Sequence, residues 1–496
     1  MKKETKLSRR QLLRMSALAG TGALLAACAA PAATTAPAAT SAPAATEAPA
    51  ATEAPAATEA PAATEAPKPT EAPATGAGGT VQVLHRQEYF KALEDEFKKQ
   101  TEEFIKSIGF TPDVSTVNPE VFGDFMAKMQ AAVSAGNPPD LTYHGNSISQ
   151  MYDQELTEDH TALLQELVSK YGDVVPTTAE RSAKYDDKWW AVPHSSNIGG
   201  WYVRKDWVDE AGADLTKFNT LQERLDIAQK ISDPSKERFG WGMTVNKSGD
   251  GHGLIQVAFQ AFGGRAVDET GQKITFNSPE TIAGVQWLAD IYMKPEFKDI
   301  LPPGVESWTD PSNNEAFLAG KTGITANAPS VYAAAKKDQP DLYKNISWQN
   351  FPSTNDGKLT LGAGGNLWYT IMRGAKQQDA AKQIVMHFMD PVVFTPLSIL
   401  GGGLVMPAYK NGWTPELLAA DSNFEMLQTI MFNPSDYTGF AFPAKANAAI
   451  DAWFATGFLS EMMSNIITGK MTAEQAVKDA TDKGVAIFEE KGLPQS

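Results

Sequence analysis

Between Thr80 and Tyr143 the hydrophobic pattern switches period several times, and this alternation constrains the fold more than any other feature of the chain. Thr80-Val81-Gln82-Val83-Leu84 is a short β-rich run, and the charged segment from Tyr89 to Ile105 carries Phe90, Leu93, Phe97 and Phe104 at helical spacing. Phe110 to Val117 then reads as a strand. Val121 to Ala135 reads as a helix with Phe122, Phe125, Met129 and Val133 on one face, and Asp140 to Tyr143 as a third strand. Alternating units predict an α/β fold with a mostly parallel sheet covered by helices on both faces. In such sheets a ligand lies beyond the carboxyl ends of the strands. That rule selects His85 to Glu88, His144 to Ser147, and His194 to Asn197 after Trp189-Trp190-Ala191-Val192-Pro193. It also selects Asn246 to His252, Asn327 to Tyr332 and Gly364 to Trp368.

The chain ahead of Thr80 cannot contribute to that core. Residues 1–27 read as a twin-arginine-type lipoprotein signal peptide: Lys2, Lys3 and Lys6, then Arg9-Arg10 followed by Leu12-Leu13, then a short Ala- and Gly-rich apolar stretch. The stretch is too short to span a bilayer stably and ends in Leu25-Ala26-Ala27-Cys28, which resembles a bacterial lipobox. Cys28 is the only cysteine, so no disulfide framework, thiolate metal cluster or cysteine nucleophile is available to the folded part. The lipobox reading makes its thiol the acceptor of a diacylglyceryl group that holds the protein on a membrane. Residues 28–79 read as a disordered tether of Ala, Pro, Thr and Glu, with TEAP recurring at Thr46, Thr52, Thr58, Thr64 and Thr70. Regular prolines favour extended conformations at roughly 3 Å per residue, so the tether reaches on the order of 100 Å.

The 59 acidic and 43 basic side chains give a formal charge of -16, which argues against attraction to nucleic acid or anionic lipid. At 496 residues with 42% hydrophobic content the chain can hold two lobes, each with its own core. No phosphate-cradling glycine loop, HExxH or GxSxG element is present. The abundant carboxylates leave a glycosidase-like pair open on composition alone.

Several segments, in order, resemble the family 1 extracellular solute-binding proteins, relatives of the maltose-binding protein. They are Asp186 to Pro193; Gly200-Trp201-Tyr202-Val203-Arg204-Lys205 through Ala211-Gly212; Asn219 to Asp233; Glu315 to Ile324; Asp379 to Asp390 ahead of Pro391; and Thr472 to Phe488. The resemblance covers about residues 80–490, with Val203-Arg204 standing where Tyr-Asn is common. It implies a periplasmic-binding-protein-like type II fold, two discontinuous α/β lobes joined by a hinge with a ligand cleft between them. The expected division is 80–192 with 306–360 for lobe one and 193–305 with 361–496 for lobe two, with crossovers near Pro193, Trp308 and Leu361.

A sugar cleft needs aromatic platforms and planar polar side chains able to pair with hydroxyls. The aromatic candidates are Trp190, Trp241, Trp308, Tyr332, Trp368 and Tyr437, for each of which core packing is the alternative. The polar candidates are Arg86, Glu88, Asn146, Asn197, Asn246, Asn327 and Asn366, for which the alternative is turn formation. Gly401-Gly402-Gly403 resembles the family's glycine pair and suits a close backbone approach at ligand or hinge. His85, His144, His194 and His252 all fall on the selected loops. They are read as contacts to a polar solute, with structural roles as the alternative, rather than as metal ligands, since no acidic or thiolate partner has metal spacing.

The resemblance implies a solute-binding subunit that performs no catalysis and carries no cofactor, and that delivers a carbohydrate to the permease subunits of an ABC importer. Its other expected associations are the membrane through lipidated Cys28 and no nucleic acid, with the protein itself a monomer. Binding glycerol phosphate or a metal, ligand sensing without transport, and a tethered carbohydrate-active enzyme are the competing classes.

Overall fold

The computed structural model describes residues 78–117, 124–175, 178–362, 364–432 and 439–495. The signal sequence, Cys28, nearly all of the tether and Tyr437 lie outside them. In chain order the strands are β1 (Thr80–Arg86), β2 (Thr111–Val117), β3 (Leu141–His144), β4 (Lys184–Tyr185), β5 (Lys188–Trp189), β6 (Val192–Ile198) and β7 (Gly200–Arg204). They continue with β8 (Phe239–Trp241), β9 (Thr322–Asn327), β10 (Ile346–Gln349), β11 (Gly364–Ile371) and β12 (Met406–Pro407).

The opening units form as their periodicity predicts. In β1, Val81, Val83 and His85 are buried while the residues between them are more exposed, the two-residue alternation of a pleated strand. Helix Lys91–Ser107 buries Leu93, Phe97, Thr101 and Ile105, four residues apart, on the sheet. β1 pairs in parallel with β2 and β3, with Val83 opposite Val114 and Leu141. Helix Leu221–Ile231 starts at a capping box in which Thr220 and Glu223 satisfy each other's backbone donors.

The strands sort into two principal sheets. The six-stranded sheet has the order β12-β6-β11-β3-β1-β2, and the four-stranded sheet has the order β10-β7-β9-β8. Each has its own core. Phe97, Tyr143, Leu164, Tyr369 and Phe388 pack on the first, while Trp201, Trp241, Phe259, Phe276, Val285 and Trp453 pack on the second. The expectation of mostly parallel sheets is corrected: β11 runs antiparallel to β3 and β6, and β7 runs antiparallel to β9 and β10. Strands that return from the other lobe enter against the direction of their new neighbours.

The expected lobe division is also corrected. The motifs put 306–360 in lobe one, yet β9 and β10 pair with β7 in the second sheet. They put 361–496 in lobe two, yet β11 lies between β3 and β6 in the first sheet. Trp308 marks no crossover; its carbonyl accepts from Thr244 Oγ1 at 2.8 Å, within the second lobe. The chain leaves the first sheet at Ile198, returns to it between Gln349 and Gly364, and leaves again after Pro407. Ala449, Ile450 and Trp453 then join the second core. Gly199 and Gly200 make the first crossing possible: a Cβ on Gly199 would lie 2.2 Å from the Asn327 carbonyl oxygen, and one on Gly200 would lie 2.1 Å from Trp348 Nε1. Among the described residues, no single helix is long and apolar enough to cross a membrane.

Candidate functional site

The ends of the strands from both sheets meet along one seam. In register, Gly364 and Gly365 at the start of β11 face Ile198 and Asn197 at the end of β6, and Gly200 faces Asn327 at the end of β9. One lip follows β1 and β3. There Arg86 Nε lies 3.6 Å from Glu88 Oε1. Glu88 is buried, and burial pushes its carboxyl up, a rise the Arg86 charge opposes. Tyr89 beside it is exposed, while Asn146 and Ser147 are half-buried.

The facing lip is rich in amides. Asp250, in the first turn of helix Gly249–Ala261, accepts from Asn313 Nδ2 at 2.8 Å and Asn327 Nδ2 at 3.0 Å through one carboxylate oxygen. Asn327 also donates to Asn314 Oδ1 at 2.5 Å, and Asn314 donates to Ser330 Oγ at 3.1 Å. Burial, and then the charge of Asp310, pushes the Asp250 carboxyl up to about 8, against the Asn313 hydrogen bond. The result is a row of neutral forked donors and acceptors around a carboxyl that holds its proton at neutral pH. Such groups pair with hydroxyls without demanding a charged ligand. The lips touch: Asn314 Nδ2 reaches the Tyr89 hydroxyl at 3.5 Å, and Ser147 and Ser149 bond Asp451.

The sequence-selected residues divide between this seam and the two cores. Arg86, Glu88, Asn146, Asn197, Asn327 and Asn366 lie at or beside strand ends along it. Asn246 is half-buried and donates to the Ser307 carbonyl at 3.2 Å. The Asn197 carboxamide oxygen is buried and has no hydrogen-bond partner among the described residues. Trp190 is half-buried, its ring 4.9 Å from that of Tyr152 and its Nε1 donating to the Tyr185 carbonyl. Gly402 and Gly403 pack against Ala333 and Pro329 of the other lobe, both at positive φ.

The other aromatics and the histidines are corrected. Trp241 is fully buried in the second core, bonded to the Tyr292 hydroxyl. Tyr332 is buried, and its hydroxyl donates to Asp421 at 2.9 Å. Trp368 packs with Phe125, Ile148 and Met151 under the first sheet. His85 and His194 are buried on either side of Tyr143, at ring distances of 4.5 and 5.0 Å. His144 is buried on Phe125 and bonded to Thr370 Oγ1, and His252 packs edge-on against Phe454. These side chains belong to cores, and the described residues contain no group of three or more His, Cys, Asp or Glu able to hold a metal. Asp250, Asn313, Asn314 and Asp451 were missed. All four sit on helices, which a rule about strand ends does not reach, although Asp250 lies inside the selected range Asn246 to His252.

Residues 87–388 match the family model described as bacterial extracellular solute-binding protein. The chain belongs to this family. Membership places it outside the cytoplasm, in agreement with the resemblance read from its motifs. The "Putative ABC transporter periplasmic-binding protein YcjN" of Escherichia coli strain K12 is 26% identical over 284 residues, 56% of this chain and 61% of that protein. The "Arabinooligosaccharide-binding protein" of Halalkalibacterium halodurans is 23% identical over 205 residues, 41% of this chain and 44% of that protein. The chain thus spans less than two thirds of the length of these curated relatives. The structure described as maltose-bound T. maritima MalE3 superposes with a TM-score of 0.68 at 19% identity, over 82% of this chain and 99% of that one. At that identity the likeness is one of fold, the two-lobed type II binding-protein architecture.

Proposed function

We propose that the protein is the solute-binding subunit of an ABC importer, that it takes a sugar or oligosaccharide into the seam between its lobes, and that it delivers the solute to permease subunits. The observation that carries this reading is the lip of Asn313, Asn314 and Asn327 around Asp250, facing Arg86, Glu88 and Tyr89. Forked amides and a protonated carboxyl match vicinal hydroxyls, and Trp190 with Tyr152 offers an aromatic surface for an apolar sugar face. Arg86, Glu88, Asn146, Trp190, Asn197, Asn246, Asn327 and Asn366 are the ligand contacts in this reading, joined by Tyr89, Asp250, Asn313 and Asn314. The protein acts as a monomer and performs no chemistry of its own. It is exported through the twin-arginine signal, with Cys28 lipidated and the TEAP tether spacing the lobes from the membrane.

The test is a titration of the purified protein with monosaccharides, arabino- and malto-oligosaccharides and glycerol phosphate, following tryptophan fluorescence and thermal unfolding. A ligand at a hundredfold its dissociation constant stabilises the folded state by about 2.7 kcal/mol. A saturable sugar response lost in Asn327→Leu supports the assignment. A response to glycerol phosphate alone, or turnover of a glycan, overturns it.

A further inference from the structure

One interlobe contact is a closed hydrogen-bond unit of its own. Ser147 and Ser149 flank the start of helix Ile148–Asp153, whose Ile148 and Met151 pack in the first lobe. Both hydroxyls donate to a single oxygen of Asp451, Oδ2, at 2.5 Å. Asp451 stands in the first turn of helix Ala448–Ala455, whose Ile450 and Trp453 belong to the second core. Ser147 Oγ lies 3.1 Å from Ser149 Oγ, and with both protons given to Asp451 it is the shared acceptor that holds the two hydroxyls together. Tyr185 closes the surroundings; its hydroxyl is driven above its ordinary pKa by burial and then by the Asp451 charge. The same short helix reaches the second lobe again at its far end, where Lys491 Nζ pairs with Asp153 at 2.7 Å.

Hydrogen bonds to a carboxylate are about twice as strong as neutral ones when shielded from water, and opening the lobes would return all three side chains to solvent. We propose that Asp451, with Ser147 and Ser149, forms a latch that biases the lobes toward each other before ligand arrives, so that Asp451 tunes affinity as a positioning residue without touching ligand. A bias of this kind raises apparent affinity in proportion to the closed fraction. The latch stands on lobe geometry alone, and its test therefore needs no knowledge of the ligand.

The test measures lobe separation in the ligand-free full chain by electron-electron resonance between spin labels at Lys128→Cys and Lys236→Cys, in a Cys28→Ser background. Four proteins are compared: unchanged, Ser149→Ala, Asp451→Ala and the pair. Ser149 is preferred to Ser147 because Ser147 also caps its helix through the Gln150 amide. The expected result is that each single change raises the open-to-closed ratio on the order of tenfold, and that the pair does no more than Asp451→Ala alone, since the shared interaction is then already gone. Melting temperatures within a few degrees of one another show that all four fold. Unchanged distance distributions, or effects that add in the pair, overturn the proposal. A protein that keeps its latch response yet binds no sugar would sink the sugar reading and leave the latch standing.

Discussion

Acidification should destabilise this fold, and the buried histidines set the size of the effect. His85, His160 and His252 are pushed from an ordinary 6.5 to about 4 and His144 to about 3, in each case chiefly by burial. Their positions explain it: His85 is enclosed by Phe97 and Tyr143, and His160 accepts from the Ile371 amide, a role only a neutral ring can fill. Unfolded, each histidine takes up a proton below 6.5; folded, it does not until the pH reaches its lowered value. The unfolded chain therefore binds more protons across that window, and stability falls with pH. Between about pH 7.5 and pH 5 each of the four contributes a loss of about 2 kcal/mol, or about 8 in all. Asp250 opposes this. Its carboxyl is raised to about 8, so the folded state gains about 3 kcal/mol over the same interval. His194, also held well below its ordinary value by burial, adds to the loss, and the carboxyls of Glu88 and Asp451, raised by burial, add to the opposing gain. The histidines win, with a net loss of several kcal/mol against a total stability of about 5–15. Urea unfolding followed by tryptophan fluorescence at the two pH values measures this directly. A midpoint that holds constant or rises on acidification would refute the burial argument. A loss that survives His160→Gln undiminished would refute the assignment to histidine.

Three further outcomes are expected. Trp190→Phe should abolish most of a sugar-induced fluorescence change, whereas Trp241→Phe should leave it intact, because Trp241 is sealed in the second core. Asn327→Leu removes one of the donors to Asp250 and should move that carboxyl's titration above about 8, read by carbonyl carbon chemical shift against pH. Gly199→Ala forces a methyl to within 2.2 Å of the Asn327 carbonyl oxygen and should cost about 1–3 kcal/mol of stability by calorimetry.

Much of the architecture was legible because it depends on local period. The strand and helix alternation from Thr80 to Tyr143 needs only pleat and helical spacing, and the order of family-like motifs carried the two-lobed fold. The site was legible only in part, for a reason visible in β1. The strand runs to Arg86, so His85 continues the inward face of Val81 and Val83 instead of opening a loop. β6 likewise runs from Val192 to Ile198, which leaves His194 in mid-strand and brings Asn197 to its end. A shift of one residue in a pleat exchanges core and cleft, and composition does not fix strand ends that closely.

The sequence by itself determined the alternating elements and the family, because each is written in motif order or a period of two or three to four residues. Only the tertiary structure decided which sheet β9, β10 and β11 would join, because two half-buried edges offer the same hydrogen bonds to an apolar strand and the choice rests on distant packing. It also brought Asp451 to Ser147 and Asn314 to Tyr89, pairs separated by some 300 and 225 positions along the chain. No local pattern encodes a contact made by the closing of two lobes.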